Sequence, residues 1–459
     1  MKVIICGAGQ VGYGIAERLA SEQNDVSVID SAAHLIDSIT DTLDVRGFVG
    51  HGAHPDVLAQ AGADDADMIV AVTLYDEVNM VACQVAHSLF SIPTKVARIR
   101  SQNYLETQWA DLFTRDHLPI DVTISPEVEV GEMVMRRLAL PGAFDTVSFA
   151  DGEVVVLGIS CEEDCPVVDT PLNQLTDLFP DFQAVVTGIS RDGHVFVPRS
   201  EDAMLVHDEV YLVAKKEQVA RAFTLFGHDE KQASRVVIAG GGNIGLYVAR
   251  QLEHMKSRAR VKVIEADRQR AIEIADQLDR TVVLHGSALD EDILREAGIG
   301  EADTMLSITN DDKVNVLSSV MAKRLGCARS LCLVNDRRYP ALARSLGIDS
   351  YLNPRAITIS KILQHVRRGR IRGVHAVENG KAEVLEAEAL PTSPLVGKPL
   401  RELDILDDGI RIGAVYRNGQ VSIPRGDTVI AAGDRVVVFS LAEQVRHVEQ
   451  MFRVSLEFF

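Results

Sequence analysis

The chain has 459 residues, 46% of them hydrophobic and 25% charged, with a formal net charge of −19. That length exceeds what one core organises and points to roughly three or four folding units. The surplus of acid argues against a sequence-independent grip on nucleic acid, which needs Lys and Arg facing phosphate. No run approaches the ~18 apolar residues of a membrane span, and the N-terminus lacks the apolar core and cleavage site of a secretory signal, so a cytoplasmic location is expected.

The chain opens with KVIICG, then GYGIAERLASE, DVSVID, MIVAVT, EVNMVACQVAHSLF and KVARIR. Short β-branched runs alternate with helical-period stretches, a pattern that predicts a parallel sheet covered on both faces, a Rossmann-like doubly wound α/β domain over residues 1–125. Residues 140–226 then show polar–apolar alternation around RDG and a charged helix, which predicts a small α+β unit whose hairpin turns on its glycine. The large pattern returns over 233–355 and the small one over 372–455, the latter around RNG. The order is large, small, large, small, with joins near 125–140, 230 and 360–372.

The second half rewrites the first. Gly7 and Gly12 recur 233 residues on as Gly240 and Gly245, and His51 recurs as His285 after 234. Gly62, Asp67, Thr73 and Asn79 recur as Gly298, Asp303, Thr309 and Asn315 after 236. In the small units Gly193, Pro198 and Asp208 match Gly419, Pro424 and Asp434 after 226.

Each large unit carries a glycine turn between its first strand and first helix: Gly7, Ala8, Gly9, Gln10, Val11, Gly12 in one, Gly240, Gly241, Gly242, Asn243, Ile244, Gly245 in the other. The first glycine permits the turn, the second admits a pyrophosphate, the third seats helix on sheet, and the helix N-terminus offers free N–H groups to the anion. Asp30 ends the second strand 18 residues after Gly12, and Glu265 does so 20 residues after Gly245. A carboxylate there accepts hydrogen bonds from ribose hydroxyls and repels a 2′-phosphate, so NAD(H) or an adenine nucleotide such as ATP or ADP is expected rather than NADP. Thr73 and Leu74, with Thr309 and Asn310, follow the fourth strand and are expected to line the clefts. His51, Ala53, His285 and Ser287 follow the third strand, where loop or cap roles suit the histidines better than catalysis.

At the fifth strand the halves part. The first offers Arg98 and Arg100, where the second has Leu333 and Asn335. A pair of guanidinium groups can bind phosphates bidentately, so the first site is expected to accept ATP and the second NAD(H); surface ion pairs are the competing reading of the arginines. The six cysteines lie mostly in apolar stretches and read as core residues. CEEDC at 161–165 has no second Cys or His pair beside it, so a metal role is set aside. The basic QHVRRGRIRG at 364–373 reads as a helix end and linker rather than a nucleic-acid site, with a docking surface as the alternative.

Neither small unit shows a proton donor with a carboxylate partner, a nucleophile elbow or a metal cluster, as a dehydrogenase would require. A ligand-sensing role is therefore expected, with domain movement as output, and a soluble NAD-dependent oxidoreductase is the alternative.

IICGAGQVG, GHGAHPDVLAQAGADDADMIVAVT, DEVNMVACQVAHSLF, VARIRS and GGGNIG, in a chain repeated twice, resemble the TrkA family, the NAD-binding peripheral subunits of bacterial Trk potassium-uptake systems. The resemblance covers essentially the whole chain. It implies tandem RCK N-terminal (Rossmann) and RCK C-terminal domains, and a homotetramer ring beneath a potassium-translocating membrane subunit of TrkH or TrkG type, peripheral on the inner face of the cell membrane. Carried onto this sequence, it implies nucleotide contacts at Gly7 through Val11, Asp30, Thr73, Leu74, Arg98 and Arg100, and at Gly240 through Ile244, Glu265, Thr309 and Asn310, with polyphosphate binding at the second site put in question by Leu333 and Asn335.

Overall fold

The structure is a computed structural model that describes residues 1–228, 232–255, 259–336, 339, 345–366, 371–403 and 409–452. It divides into two units, Met1–Val130 with Asn353–Val366, and Gly131–Leu352 with Arg367–Phe459.

In the first unit β1 (Lys2–Cys6), α1 (Gln10–Ser21), β2 (Asp25–Asp30), α2 (Ala33–Thr42), β3 (Arg46–Val49), α3 (Pro55–Gln60), β4 (Met68–Ala71), α4 (Asp76–Phe90), β5 (Thr94–Arg98) and β6 (Val122–Ile124) follow one another. The strands form a six-stranded parallel sheet in the order β3-β2-β1-β4-β5-β6. The central strands β1 and β4 are almost wholly apolar because both faces are covered: Val3 and Ile5 of β1 enter one core and Ile4 and Cys6 the other. The chain order reverses between β1 and β4, which opens a crevice at the carboxyl ends of those strands.

Helix α5 (Pro126–Ala139) follows, and its later residues pack in the second unit, where Gly131 lies so close to the Tyr247 ring that a Cβ would stand 2.3 Å from it. The second unit continues with β7 (Asp145–Phe149), β8 (Val154–Ser160), α6 (Leu172–Leu178), β9 (Ala184–Arg191), β10 (His194–Phe196), β11 (Glu209–Lys215) and α7 (Val219–Leu225). These strands make an antiparallel sheet in the order β10-β9-β11-β8-β7. The β9–β10 hairpin turns on Asp192 (φ 52°) and Gly193 (φ 74°), two successive positive φ values as a two-residue hairpin turn requires.

A second parallel sheet is built from β12 (Arg235–Ala239), α8 (Asn243–His254), β13 (Arg260–Glu265), α9 (Arg268–Ala275), β14 (Val282–His285), α10 (Glu291–Glu296), β15 (Thr304–Ser307), α11 (Asp312–Arg324), β16 (Arg329–Leu333) and β17 (Ser350–Leu352). Its order β14-β13-β12-β15-β16-β17 repeats that of the first. Helix α12 (Pro354–Val366) then belongs to the first unit, where Ile362 and Leu363 enter the core beside α1. Last come β18 (Ile371–Val377), β19 (Ala382–Glu388), β20 (Ile410–Arg417), β21 (Gln420–Ser422), β22 (Arg435–Leu441) and α13 (Val445–Met451), with the sheet order β18-β19-β22-β20-β21.

The two antiparallel sheets share one core, with Phe149, Val156, Tyr211 and Val213 against Val384, Ala414, Val437 and Phe439. In both small domains a buried aspartate ties the hairpin down: Arg191 grips Asp208 through Nε at 2.9 Å and Nη2 at 2.7 Å, and Arg417 grips Asp434 at 2.7 and 2.6 Å. All six cysteines are buried free thiols. Residues 367–370 of the basic segment at 364–373 lie outside the described residues.

Candidate functional site

Gly7 leaves β1 with φ 114° and Gly240 leaves β12 with φ 107°, conformations that L side chains rarely adopt. The turn brings the helix start against the loop: a Cβ on Gly12 would stand 1.8 Å from the Gly7 carbonyl oxygen, and one on Gly245 2.0 Å from that of Gly240. Nothing approaches within 4 Å of a Cβ built on Gly9 or Gly242, so the space above the middle glycine is open on both loops. Among the described residues the amide groups of Gly9, Gln10 and Val11, and of Gly242, Asn243 and Ile244, donate to no protein acceptor. These are the unsatisfied N–H groups that a helix start presents to an anion.

The two carboxylates brace their loops. Asp30 accepts from the Ala8 amide at 2.7 Å and the Ala32 amide at 2.8 Å, and Glu265 accepts from Gly241 at 2.6 Å and Asp267 at 2.8 Å. Each carboxylate oxygen takes one amide and keeps acceptor capacity for a ribose hydroxyl. The longer Glu265 reaches a loop residue with no side chain, and Arg270 donates from Nε to the Gly241 carbonyl at 2.9 Å. Leu35, the matching residue of the first half, packs into the apolar core.

Behind each loop a fully buried asparagine does the positioning. The Asn79 carbonyl oxygen accepts from the Thr73 amide and hydroxyl, both at 2.8 Å, while its Nδ2 donates to the Arg98 carbonyl at 2.9 Å. Asn315 repeats this with Thr309 at 2.8 and 2.7 Å and with the Leu333 carbonyl at 3.0 Å. Asp76 holds the chain beyond β5 by accepting from the Arg100 amide at 3.0 Å and Ser101 at 2.8 Å; Asp312 does so for Asn335 at 3.0 Å and Asp336 at 2.9 Å. Asn79 stood out in the sequence only as a repeated letter and Asp76 not at all, although Asp76 and Asp312 recur at the same 236-residue interval.

The arginines separate the halves. Arg98 donates from Nη2 to the Thr73 carbonyl at 2.7 Å, which puts its guanidinium beside the loop. Its Nε is buried with no hydrogen-bond partner, and burial followed by the nearby Arg100 pulls its pKa down. A buried cationic donor left open in this way fits an anionic ligand. Strand β5 ends at Arg98, so the two arginines do not act as a pair on one strand: Arg100 donates from Nε to Glu127 at 3.1 Å. Leu74 and Asn310 stand exposed at the cleft edge. His51 stacks on His54 with ring centroids 4.6 Å apart, and its Nδ1 accepts from the Ala53 amide at 3.4 Å, a loop-holding arrangement.

Comparison with known proteins gives this architecture a family. The TrkA-N domain model matches residues 3–126 and 236–354, and the TrkA-C domain model matches 156–227 and 384–453. The Trk system potassium uptake protein TrkA of Azorhizobium caulinodans is 62% identical over 459 residues, with both chains covered completely. That of Halomonas elongata is 41% identical over 463 residues, again 100% of each, and that of Vibrio alginolyticus is 39% identical over 459 residues, 99% of each. Among solved structures, the crystal structure of the GsuK RCK domain matches 98% of this chain and 94% of its own, with TM-score 0.60 and 18% identity. The GsuK channel bound to NAD matches 98% of this chain and 78% of its own at the same TM-score of 0.60. At that identity the likeness is one of fold, that of tandem RCK domains. No described helix is long and apolar enough to cross a membrane. With two TrkA-N and two TrkA-C domains and full-length relatives of one name, the chain belongs to the TrkA family.

Proposed function

We propose that the protein senses NAD(H) and adenine nucleotides at its two glycine loops and, as a four-subunit ring on the inner face of the membrane, gates potassium passage through a membrane subunit of TrkH or TrkG type. The observation that carries the sensing is the doubled loop itself: open helix-start amides and a ribose-directed carboxylate at each site. Membership of the TrkA family supports the reading of a membrane partner and a ring.

The first site, with Arg98 against Thr73 and its Nε unpartnered, takes ATP or ADP, and the second, with Leu333 and Asn335 in the arginines' places, takes NAD(H). Ligand-dependent differences between the sites bias the arrangement of the domains, and that bias is the output. Titration of the full chain with NADH and ATP, recording stoichiometry, tests the division. Arg98→Ala is expected to weaken ATP at least tenfold and leave NADH unchanged, and Glu265→Ala to remove one NADH equivalent per chain. Equal loss of both ligands in both variants sinks the division of labour, and steady NADH oxidation with a small metabolite would favour an oxidoreductase instead.

A further inference from the structure

Helix α12 delivers a side chain to the first loop from the far end of the second half. Arg355, in the first turn of α12, donates from Nη2 to the side-chain oxygen of Gln10, the first residue of α1. Gln10 carries one of the amides left open for an anion. Arg355 is held there by the packing of its helix. A Cβ on Gly14 of α1 would stand 2.4 Å from the Ile359 methyl group, and Ile362 and Leu363 are buried in the same core as Ile15 and Leu19. Asn353 caps the start of α12 by accepting from the Ala356 amide at 3.1 Å, and Lys361 reaches Glu129 at 3.4 Å. The helix therefore fixes the position of its first turn against α1.

The sequence register sharpens the point. Pro126 and Pro354 begin the two equivalent helices, and the next residue is Glu127 in one and Arg355 in the other. The helix seated on the first loop thus carries a cation at a position where its counterpart carries an anion. With Arg98 beside Thr73, the first loop has guanidinium groups from two separate elements near its open amides. Planar, permanently charged donors at a helix start suit a phosphate chain longer than one unit.

We propose that Arg355 is a phosphate-contacting residue of the first nucleotide site and selects nucleotides with a second or third phosphate; this rests on the nucleotide-sensing reading above. An arriving phosphate takes the guanidinium from the Gln10 amide oxygen, so occupancy is also felt by α12.

The test is calorimetric titration of the full chain with ATP, ADP and AMP for the wild type, Arg355→Gln and Arg355→Lys, with Asp30→Ala as a control on the ribose side. Arg355→Gln is expected to weaken ATP and ADP about tenfold and AMP less than twofold, with Arg355→Lys between. Asp30→Ala is expected to weaken all three alike. An unchanged ATP-to-AMP affinity ratio in Arg355→Gln overturns the role of Arg355 while leaving nucleotide sensing intact. Should Arg355→Gln fold poorly, an unchanged ratio in Arg355→Lys, which shortens the fork to a point charge, overturns it equally. A wild type that binds none of the three overturns the underlying reading.

Discussion

Gly12 and Gly245 show how one missing methyl group shapes a site. The atom that a Cβ would strike is a backbone carbonyl oxygen, 1.8 or 2.0 Å away, which cannot swing aside as a side chain could. Gly12→Ala is therefore expected to cost about 3 kcal/mol, the upper end for overpacking, and to abolish binding at the first loop; thermal melts and an ATP titration read the two effects. At the same scale the sequence made the glycines and the two carboxylates legible, because their spacing is that of a local strand–turn–helix. It could not show that Arg98 and Arg100 part company. That follows from Glu127 and the Thr73 carbonyl, which lie 27 and 25 residues from them and meet them only in the folded sheet.

Among the elements, each fourth strand and the helix after it are clamped by Asn79 or Asn315. Asn79 is 0% exposed and satisfies the Thr73 amide, the Thr73 hydroxyl and the Arg98 carbonyl together. Removing it strands several buried polar groups at once. Asn79→Ala is expected to cost about 3 kcal/mol, since each buried unsatisfied group costs about 1–3 kcal/mol, and to loosen the Thr73–Arg98 contact. Asn79→Asp is expected to do similar harm, because an acid without Nδ2 cannot donate to the Arg98 carbonyl. Urea midpoints and amide-exchange protection at Thr73 check both. The strands and hairpins were readable from period and turn residues, whereas a buried Asn inside a helical stretch looks like any polar residue until its partners are known.

In the molecule as a whole, the second unit is knitted together by one buried ionic node. Arg137 of α5 donates to Ser350 at 2.9 Å and to Asp145 at 3.4 Å, and His375 of β18 meets Asp145 at 2.8 Å. Burial alone would raise the Asp145 pKa, but His375 and then Arg137 outweigh it and hold the carboxyl at about 2, against an ordinary 3.8. A depressed carboxyl contributes stability above its unfolded pKa and loses it as pH falls through the folded one. The wild type is therefore expected to lose about 2 kcal/mol between the ordinary 3.8 and about 2 from this group, and Asp145→Asn to lack that part of the acid transition. Urea melts across this range make the comparison.

The sequence by itself determined that there are two doubly wound domains, each with a glycine turn and a carboxylate, and two small α+β domains after them. Those features are written in short windows, as strand period, turn residues and an interval repeated along the chain. Only the tertiary structure decided which helix completes which unit. Nothing local in NPRAITISKIL says that its Ile362 and Leu363 will enter the core beside α1, or that Arg355 will reach Gln10, 345 residues away. Such pairings depend on apolar faces burying one another at long range, and a single sequence records each face without naming its partner.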